Sequence, residues 1–287
     1  MSRDDGLYLG IDHDEYHADS ALSSTGVKLL TRPSCPAKFR YAMDNPESRK
    51  PTEAMDKGQA YHTLVFGAGP EVVLVDADSW RTAAARQARD EARAEGKVPL
   101  LPDDMADVLA MVDVLKAYTI ESGGNDVSVF PGIIGDGHPE VSFWWHDLYE
   151  VPCRGRVDWL PTRKGQRLIV PDLKSARSAE PAEFGRAAMD LKYAQQADWY
   201  LRGLRAIGEA DDRAVFLFIA QETTPPYIPQ VIQLNAESMR VGEALNDRAL
   251  EVYARCLETN TWPGYEPGIA LASLPGWYLN KIESEES

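Results

Sequence analysis

Along the chain, apolar positions change their period several times, and each change marks an expected element. Residues 22–30 carry the first helical pattern, with Ser23 or Ser24 as N-cap because a short hydroxyl can satisfy backbone donors left free at a helix start. Pro33 and Pro36 interrupt it. A second helix is expected over 55–66, with His62 inside it, and Gly67, Gly69 and Pro70 force a turn after it. Residues 80–95, rich in Ala, Arg and Glu, predict a third helix. Residues 103–118 predict a fourth, in which Met105, Val108, Leu109, Val112 and Leu115 fall at helical spacing.

The period then drops to two. Residues 141–145 alternate, and 154–160 and 167–174 are strand-like around a turn that contains Pro161 and Gly165, which predicts a hairpin or short meander. The helical period returns over 184–207. Strands are expected at 214–220 and 228–234, on either side of the Pro225-Pro226 loop, and a last helix at Ala236–Thr259. No internal repeat interrupts this order. The expectation is a single mixed α/β domain over residues 1–280 with a helical N-terminal part, followed by a frayed tail, 281–287, that contains the low-complexity IESEES.

A composition of 44% hydrophobic and 26% charged residues is ordinary for a globular protein of 287 residues. The opening MSRDDGLYLGID lacks an apolar stretch of signal-peptide length, and no later segment approaches a membrane span, so a cytoplasmic protein is expected. Cys35, Cys153 and Cys256 are odd in number and far apart, which fits neither a disulfide framework nor a cysteine metal knuckle. The net charge of -15 excludes a protein that coats nucleic acid by diffuse attraction. A local basic groove is compatible with it. Lys28, Arg32, Lys38, Arg40, Arg49, Lys50 and Lys57 fall in one stretch, and Arg154, Arg156, Arg163, Lys164 and Arg167 in another.

The candidate chemistry lies in the strand region. Residues two apart on a strand share a face, so Asp172 and Lys174 in PDLKS project together, as do Arg156 and Asp158 in CRGRVDWL. If those faces align, two carboxylates and an ammonium converge. Two carboxylates ~4 Å apart repel by roughly 4 kcal/mol at intermediate dielectric, which a divalent cation would reverse. A hard ion such as Mg²⁺ suits oxygen donors of this kind. An isolated Asp-x-Lys is more often a surface ion pair, and so its company decides the reading.

GRVDWL followed by a strand ending in DLK resembles the PD-(D/E)XK nuclease superfamily, with Asp158 as the first acid and Asp172, Leu173 and Lys174 as the (D/E)xK triplet. Three further segments are similar to its exonuclease VIII (RecE) and RecB-like branch. KGQAYHTLVF matches a G-x-x-x-H helix carrying His62, PEVSFWW an acidic strand carrying Glu140, and QADWY a Q-x-x-x-Y motif of Gln196 and Tyr200, one helical turn apart. LSSTGVKLLTRPSCPAKFRY, WPGY and LPGWYL extend the likeness towards both ends. Trp144, Trp145 and Trp159 read as core, and Lys192 and Tyr193 carry less signal. One departure is Pro171, where the superfamily has a plain apolar residue: it marks either a bulge that aims Asp172 or a shift of register after Val170.

The resemblance implies a restriction-endonuclease-like core, a central mixed sheet flanked by helices. It implies Mg²⁺ or Mn²⁺ held by His62, Glu140, Asp158, Asp172 and the Leu173 carbonyl, with Lys174 acting on water and Gln196 and Tyr200 holding the DNA backbone or the lysine. His62 must be neutral to bind metal, so function should fall below the ordinary histidine range of about 6.5. The resemblance further implies 5′-to-3′ degradation of linear duplex DNA from its ends, a homotrimeric or homotetrameric ring, and a single-strand annealing partner in phage-type recombination. Other readings are an endonuclease or RecB-like single-strand nuclease of the same fold, or a catalytically silent DNA-binding module.

Overall fold

The computed structural model describes residues 3–48, 50–162 and 167–285 of the chain. Arg49, Arg163, Lys164 and Gly165, which enter the expectations above, lie outside the described residues, as do the last two residues of the expected tail.

The first strand, β1 (Gly6–Tyr8), is followed by α1 (His13–Ala18), α2 (Ser24–Leu30) and α3 (Pro36–Asp44). Ser23 is the α2 N-cap, its hydroxyl accepting from the Gly26 amide at 3.2 Å. Pro36 does not simply break the chain: it sits at the first turn of α3, where its missing N–H costs nothing. Next come α4 (Glu53–Phe66), β2 (Val72–Leu74), α5 (Ala83–Ala94), β3 (Val98–Leu100) and α6 (Pro102–Ala117). Gly67 caps α4 in the left-handed conformation that the Gly67-to-Pro70 turn predicts. A small hairpin, β4 (Thr119–Ser122) and β5 (Asn125–Ser128), leads to the long strands β6 (Gly137–His146) and β7 (Pro152–Pro161) and to β8 (Ile169–Ala176).

The sequence pattern predicts one continuous helix after β8, but the structure has two, α7 (Pro181–Asp190) and α8 (Tyr193–Ala206). Lys192 breaks the helix. Its φ of +55° is left-handed, and its ammonium is drawn away to α2. Strands β9 (Val215–Glu222) and β10 (Pro229–Ile232) and helix α9 (Ala236–Thr259) follow, the last with the bounds expected. Helix α10 (Gly276–Glu285) extends into the stretch expected to fray.

The mixed α/β architecture is as expected, and of the expected hairpin or meander the structure keeps the hairpin, β6 with β7, while β8 does not continue it. β6 and β7 pair antiparallel within a sheet of order β1-β6-β7, whereas β8 pairs parallel with β9 in a sheet of order β10-β9-β8. β7 and β8 lie side by side as the facing edges of two sheets. Their seam is the most informative feature of the fold.

Pro171 does not shift the register: β8 pairs with β9 without interruption from Ile169↔Val215 to Ala176↔Glu222. Alternate backbone amides of a strand point to the same edge. The Leu173 amide points across the seam to Asp158, and Pro171, two residues earlier, places its missing donor on that same side, where no ladder bond is required.

Two apolar cores lie on opposite faces of these sheets. Val141, Phe143, Val157, Val170, Phe216 and Phe218 pack with α2, α8 and α9, and Trp145 and Trp199 meet there at 4.9 Å. Leu173 and Ile219 pack the other way, with Tyr61 of α4 and Val108 and Leu115 of α6. Trp144 and Trp145 are buried and Trp159 stacks on Phe66, consistent with the structural reading of these tryptophans. Among the described residues, no helix is long and apolar enough to cross a membrane.

Candidate active site

The seam brings together side chains from α4, β6, β7 and β8. Asp158 reaches from β7 across the gap, and its Oδ2 accepts the Leu173 amide of β8 at 2.8 Å. Opposite it on β6, the ladder passes from Pro139↔Trp159 to Val141↔Val157, so Glu140 and Asp158 face each other across the interval. Glu140 has a left-handed φ of +50°, a conformation that costs a non-glycine residue about 1–3 kcal/mol and persists only where its surroundings over-determine it.

His62 arrives from α4. The rotation of that helix is fixed by the preceding residue: buried Tyr61 hydrogen-bonds Gln221 of β9, whose amide donates to the Met111 and Tyr227 carbonyls at 2.9 Å. Gly58, one turn before His62, lies against β8, where an added Cβ would stand 3.5 Å from Ser175 Oγ. His62 Nδ1 then lies 3.5 Å from Asp158 Oδ2. One donor atom each from His62, Glu140 and Asp158 lies within 4.8 Å of the other two.

The second half of the site faces α8. Lys174 Nζ is 2.6 Å from Asp172 Oδ2, so the two share a face of β8 as their spacing predicts. Asp172 Oδ1 accepts from Gln196 Nε2 at 2.9 Å. Asp172 is therefore turned toward Lys174 and Gln196 and does not belong to the triad of His62, Glu140 and Asp158. Gln196 and Tyr200 share the expected face of α8, yet only Gln196 touches the acidic cluster. Tyr200 packs between Phe143 and Phe216, with ring centroids at 6.2 and 6.0 Å, and its hydroxyl pairs with Ser24.

Burial sets the protonation of the cluster. It raises Glu140 to about 7, assisted by Asp158 and opposed by Arg156. Burial also raises Asp172 to about 6 against the pull of Lys174, and raises Asp158 against Lys174 and the Leu173 amide. Burial alone would lower Lys174, but Asp172 and Asp158 outweigh it and hold the ammonium above its ordinary range. His62 is depressed to about 4, first by burial and then by the charge of Lys174. That value corrects the sequence expectation, because the imidazole stays neutral far below about 6.5 and cannot set an acid limit near that pH.

The donor set fits a divalent cation. Two carboxylates and one imidazole converge, and burial holds Glu140 and Asp158 reluctant to ionise without a counter-charge. His62 and Glu140 open onto a cleft of about 1000 Å³ that Arg156, His13, Arg93 and Lys97 also line.

Among the described residues of the two basic stretches, several cations are already paired. Arg32 pairs with Glu266, Arg40 with Asp44 and Lys57 with Asp104, while Arg154 and Arg156 flank the Tyr16 ring at 4.7 and 4.2 Å. Arg156 also bonds Ser142 and the Ile11 carbonyl and approaches Glu140 at 3.8 Å. Sequence reasoning missed Lys28 as a neighbour of the site. Its Nζ donates to Gln196 Oε1 at 3.0 Å, and the signal was a lone lysine within the apolar run Val27, Leu29, Leu30.

No curated protein matches the sequence. Among solved structures, the chain is similar to a protein from Eubacterium rectale provisionally described as an exonuclease, with a TM-score of 0.61 at 8% identity over 95% of this chain and 98% of that one. It also aligns with a phage-related exonuclease from Haemophilus somnus, with a TM-score of 0.31 and 13% identity over 83% of this chain and 95% of that one. The sequence from residue 23 to residue 271 matches the model of a PDDEXK-like domain of unknown function (DUF3799), and the chain belongs to that family.

Proposed function

We propose that the protein is a metal-dependent DNA nuclease whose catalytic centre is the seam between β7 and β8. The observation that carries this reading is the convergence of His62, Glu140 and Asp158 donor atoms within 4.8 Å, beside the Asp172–Lys174 pair. Membership of a PDDEXK-like family supports it. The ion is Mg²⁺ or Mn²⁺, since carboxylate donors favour hard cations and a single imidazole is compatible with manganese. His62, Glu140 and Asp158 would hold it, with Asp172 and the Leu173 carbonyl at its margin. When bound, such an ion neutralises charge on a phosphodiester and lowers the pKa of water.

The chain's own residues supply the rest. Lys174, kept charged by Asp172, orients the attacking water and stabilises charge that develops on the phosphoryl oxygens. Gln196 keeps Asp172 in place, and Tyr200 supports α8 from the core. The substrate is linear duplex DNA entered from an end and degraded 5′ to 3′, leaving single strands for an annealing partner in phage-type recombination. With a net charge of -15, sustained degradation calls for topological capture, and a ring of three or four subunits would provide it. Incubating end-labelled linear duplex and covalently closed circles with Mg²⁺, alongside light scattering of the protein, tests this. Loss of the linear form alone, from a trimer or tetramer, is expected. Cutting of the circle would replace the end-loading reading with an endonuclease.

A further inference from the structure

We propose that Lys28, on α2, is a positioning residue for this centre, acting through Gln196 to fix Asp172 and, with it, Lys174. The inference rests on the nuclease reading for its kinetic consequence and on geometry alone for its structural one. Gln196 is buried between two charged partners: its Oε1 accepts from Lys28 Nζ at 3.0 Å, and its Nε2 donates to Asp172 Oδ1 at 2.9 Å.

A glutamine amide can in principle turn over, exchanging donor and acceptor. Here one orientation is imposed. An ammonium has three donors and no acceptor, so it bonds only the amide oxygen, and the NH₂ group is left to face the carboxylate. The reverse orientation would set NH₂ against NH₃⁺ and a carbonyl against a carboxylate, two repulsive contacts in a buried place. Burial draws Lys28 down to about 8, which leaves the ammonium form dominant at pH 7.

The approach of Lys28 is itself constructed. Lys192, in a left-handed conformation at the N-cap of α8, sends its Nζ to the Lys28 carbonyl at 2.7 Å, the Thr31 carbonyl at 2.9 Å and Thr31 Oγ1 at 2.7 Å. Those are acceptors at the end of α2, so the last turn of α2 is tied to the first turn of α8. Tyr193 lies between the two active-site lysines, its ring centroid 5.8 Å from Lys28 Nζ and 5.3 Å from Lys174 Nζ. Lys28 thus reaches Gln196 because the break between α7 and α8 binds α2 in place.

The test uses the full chain with Lys28→Met, which keeps the stem and removes the donor. A misplacement of Asp172 and Lys174 by about 1 Å predicts a loss of roughly a hundredfold in kcat. KM should stay within about twofold and the melting temperature close to wild type, because no group that contacts DNA is removed. Lys28→Met combined with Gln196→Ala should be no slower than Gln196→Ala alone, and ethylammonium should restore part of the rate to Lys28→Ala, a rescue that general loss of stability would not show. The crystal structure of Lys28→Met supplies a second readout, in which Gln196 Nε2 leaves Asp172 Oδ1. Should Lys28→Met fail to fold, Lys28→Ala with the amine and Lys28→Arg provide the same comparisons. An unchanged kcat, or a Gln196–Asp172 bond intact without the Lys28 donor, overturns the proposal. If wild type cleaves no DNA, the nuclease reading fails, and the crystallographic result still decides the role of Lys28.

Discussion

Asp158 and Leu173 are joined across the seam of the fold, the carboxylate of β7 accepting the backbone amide of β8 at 2.8 Å. A side chain thereby stands where a continuous sheet would have a backbone carbonyl. The carboxylate satisfies the amide of an edge strand and is held at the mouth of the gap, next to His62 and Glu140. Asparagine in the same place keeps an acceptor oxygen and loses the charge. Asp158→Asn should therefore leave the melting temperature unchanged or raise it by a few degrees, through relief of repulsion with Glu140, while cleavage falls by more than about a thousandfold. Near-native cleavage by the purified variant would remove Asp158 from the site.

Lys174→Met separates charge stabilisation from metal binding. The variant takes an ammonium from a position 2.6 Å from Asp172 and leaves His62, Glu140 and Asp158 in place. Cleavage should fall by about a hundredfold to a thousandfold, while the Mn²⁺ affinity measured by calorimetry changes little. Asp172 loses its main opponent to burial, so its carboxyl should titrate higher still. Disappearance of metal binding together with activity would assign Lys174 a different role.

Glu140 and Asp172, raised by burial to about 7 and about 6, give the apo protein a distinctive pH dependence. Between the ordinary carboxylate range and those values the folded state holds protons that the unfolded state has released. For these two groups, stability is therefore lost as pH rises from about 4.5 to about 7, opposite to the trend of an ordinary paired carboxylate. Melting curves of the metal-free protein should show it, and Glu140→Gln should flatten the upper half of the window and raise the apo melting temperature near pH 8. A Glu140→Gln melting temperature below wild type at pH 8 would refute the account. Metal binding should release protons and weaken as pH falls through the same window.

His62 should not contribute an acid limit near its ordinary range, because burial and Lys174 keep it neutral down to about 4. His62→Asn is expected to weaken Mn²⁺ binding by about tenfold to a hundredfold and leave the position of the acid limb unmoved. A limb displaced in that variant would show that the imidazole titrates in the working range after all.

Much of this was legible in the sequence because the information was local. Asp172 and Lys174 share a face by strand spacing, Gln196 and Tyr200 by helix spacing, and Ala236–Thr259 has an unbroken helical period. What was hidden depended on distant partners. The meander reading failed because period-two alternation marks strands without saying which neighbour each takes, and the partner of β8 proved to be β9. A helix break at Lys192 was invisible in an amphipathic pattern that continues through it, since the tertiary reward is the set of acceptors on α2. Ion pairs were hidden in the same way, since Arg32 and Lys57 find Glu266 and Asp104 far along the chain.

The measurement that bears most directly on the central claim is cleavage of labelled linear duplex by wild type and Asp158→Asn at matched concentrations, each with Mg²⁺ or Mn²⁺ and with excess chelator. Wild type should degrade the duplex with metal and stop when the metal is chelated, and Asp158→Asn, folded and at least as stable, should leave the duplex intact in both conditions. Cleavage that persists in chelator, or that survives in Asp158→Asn, would contradict a metal-dependent centre at the seam between β7 and β8.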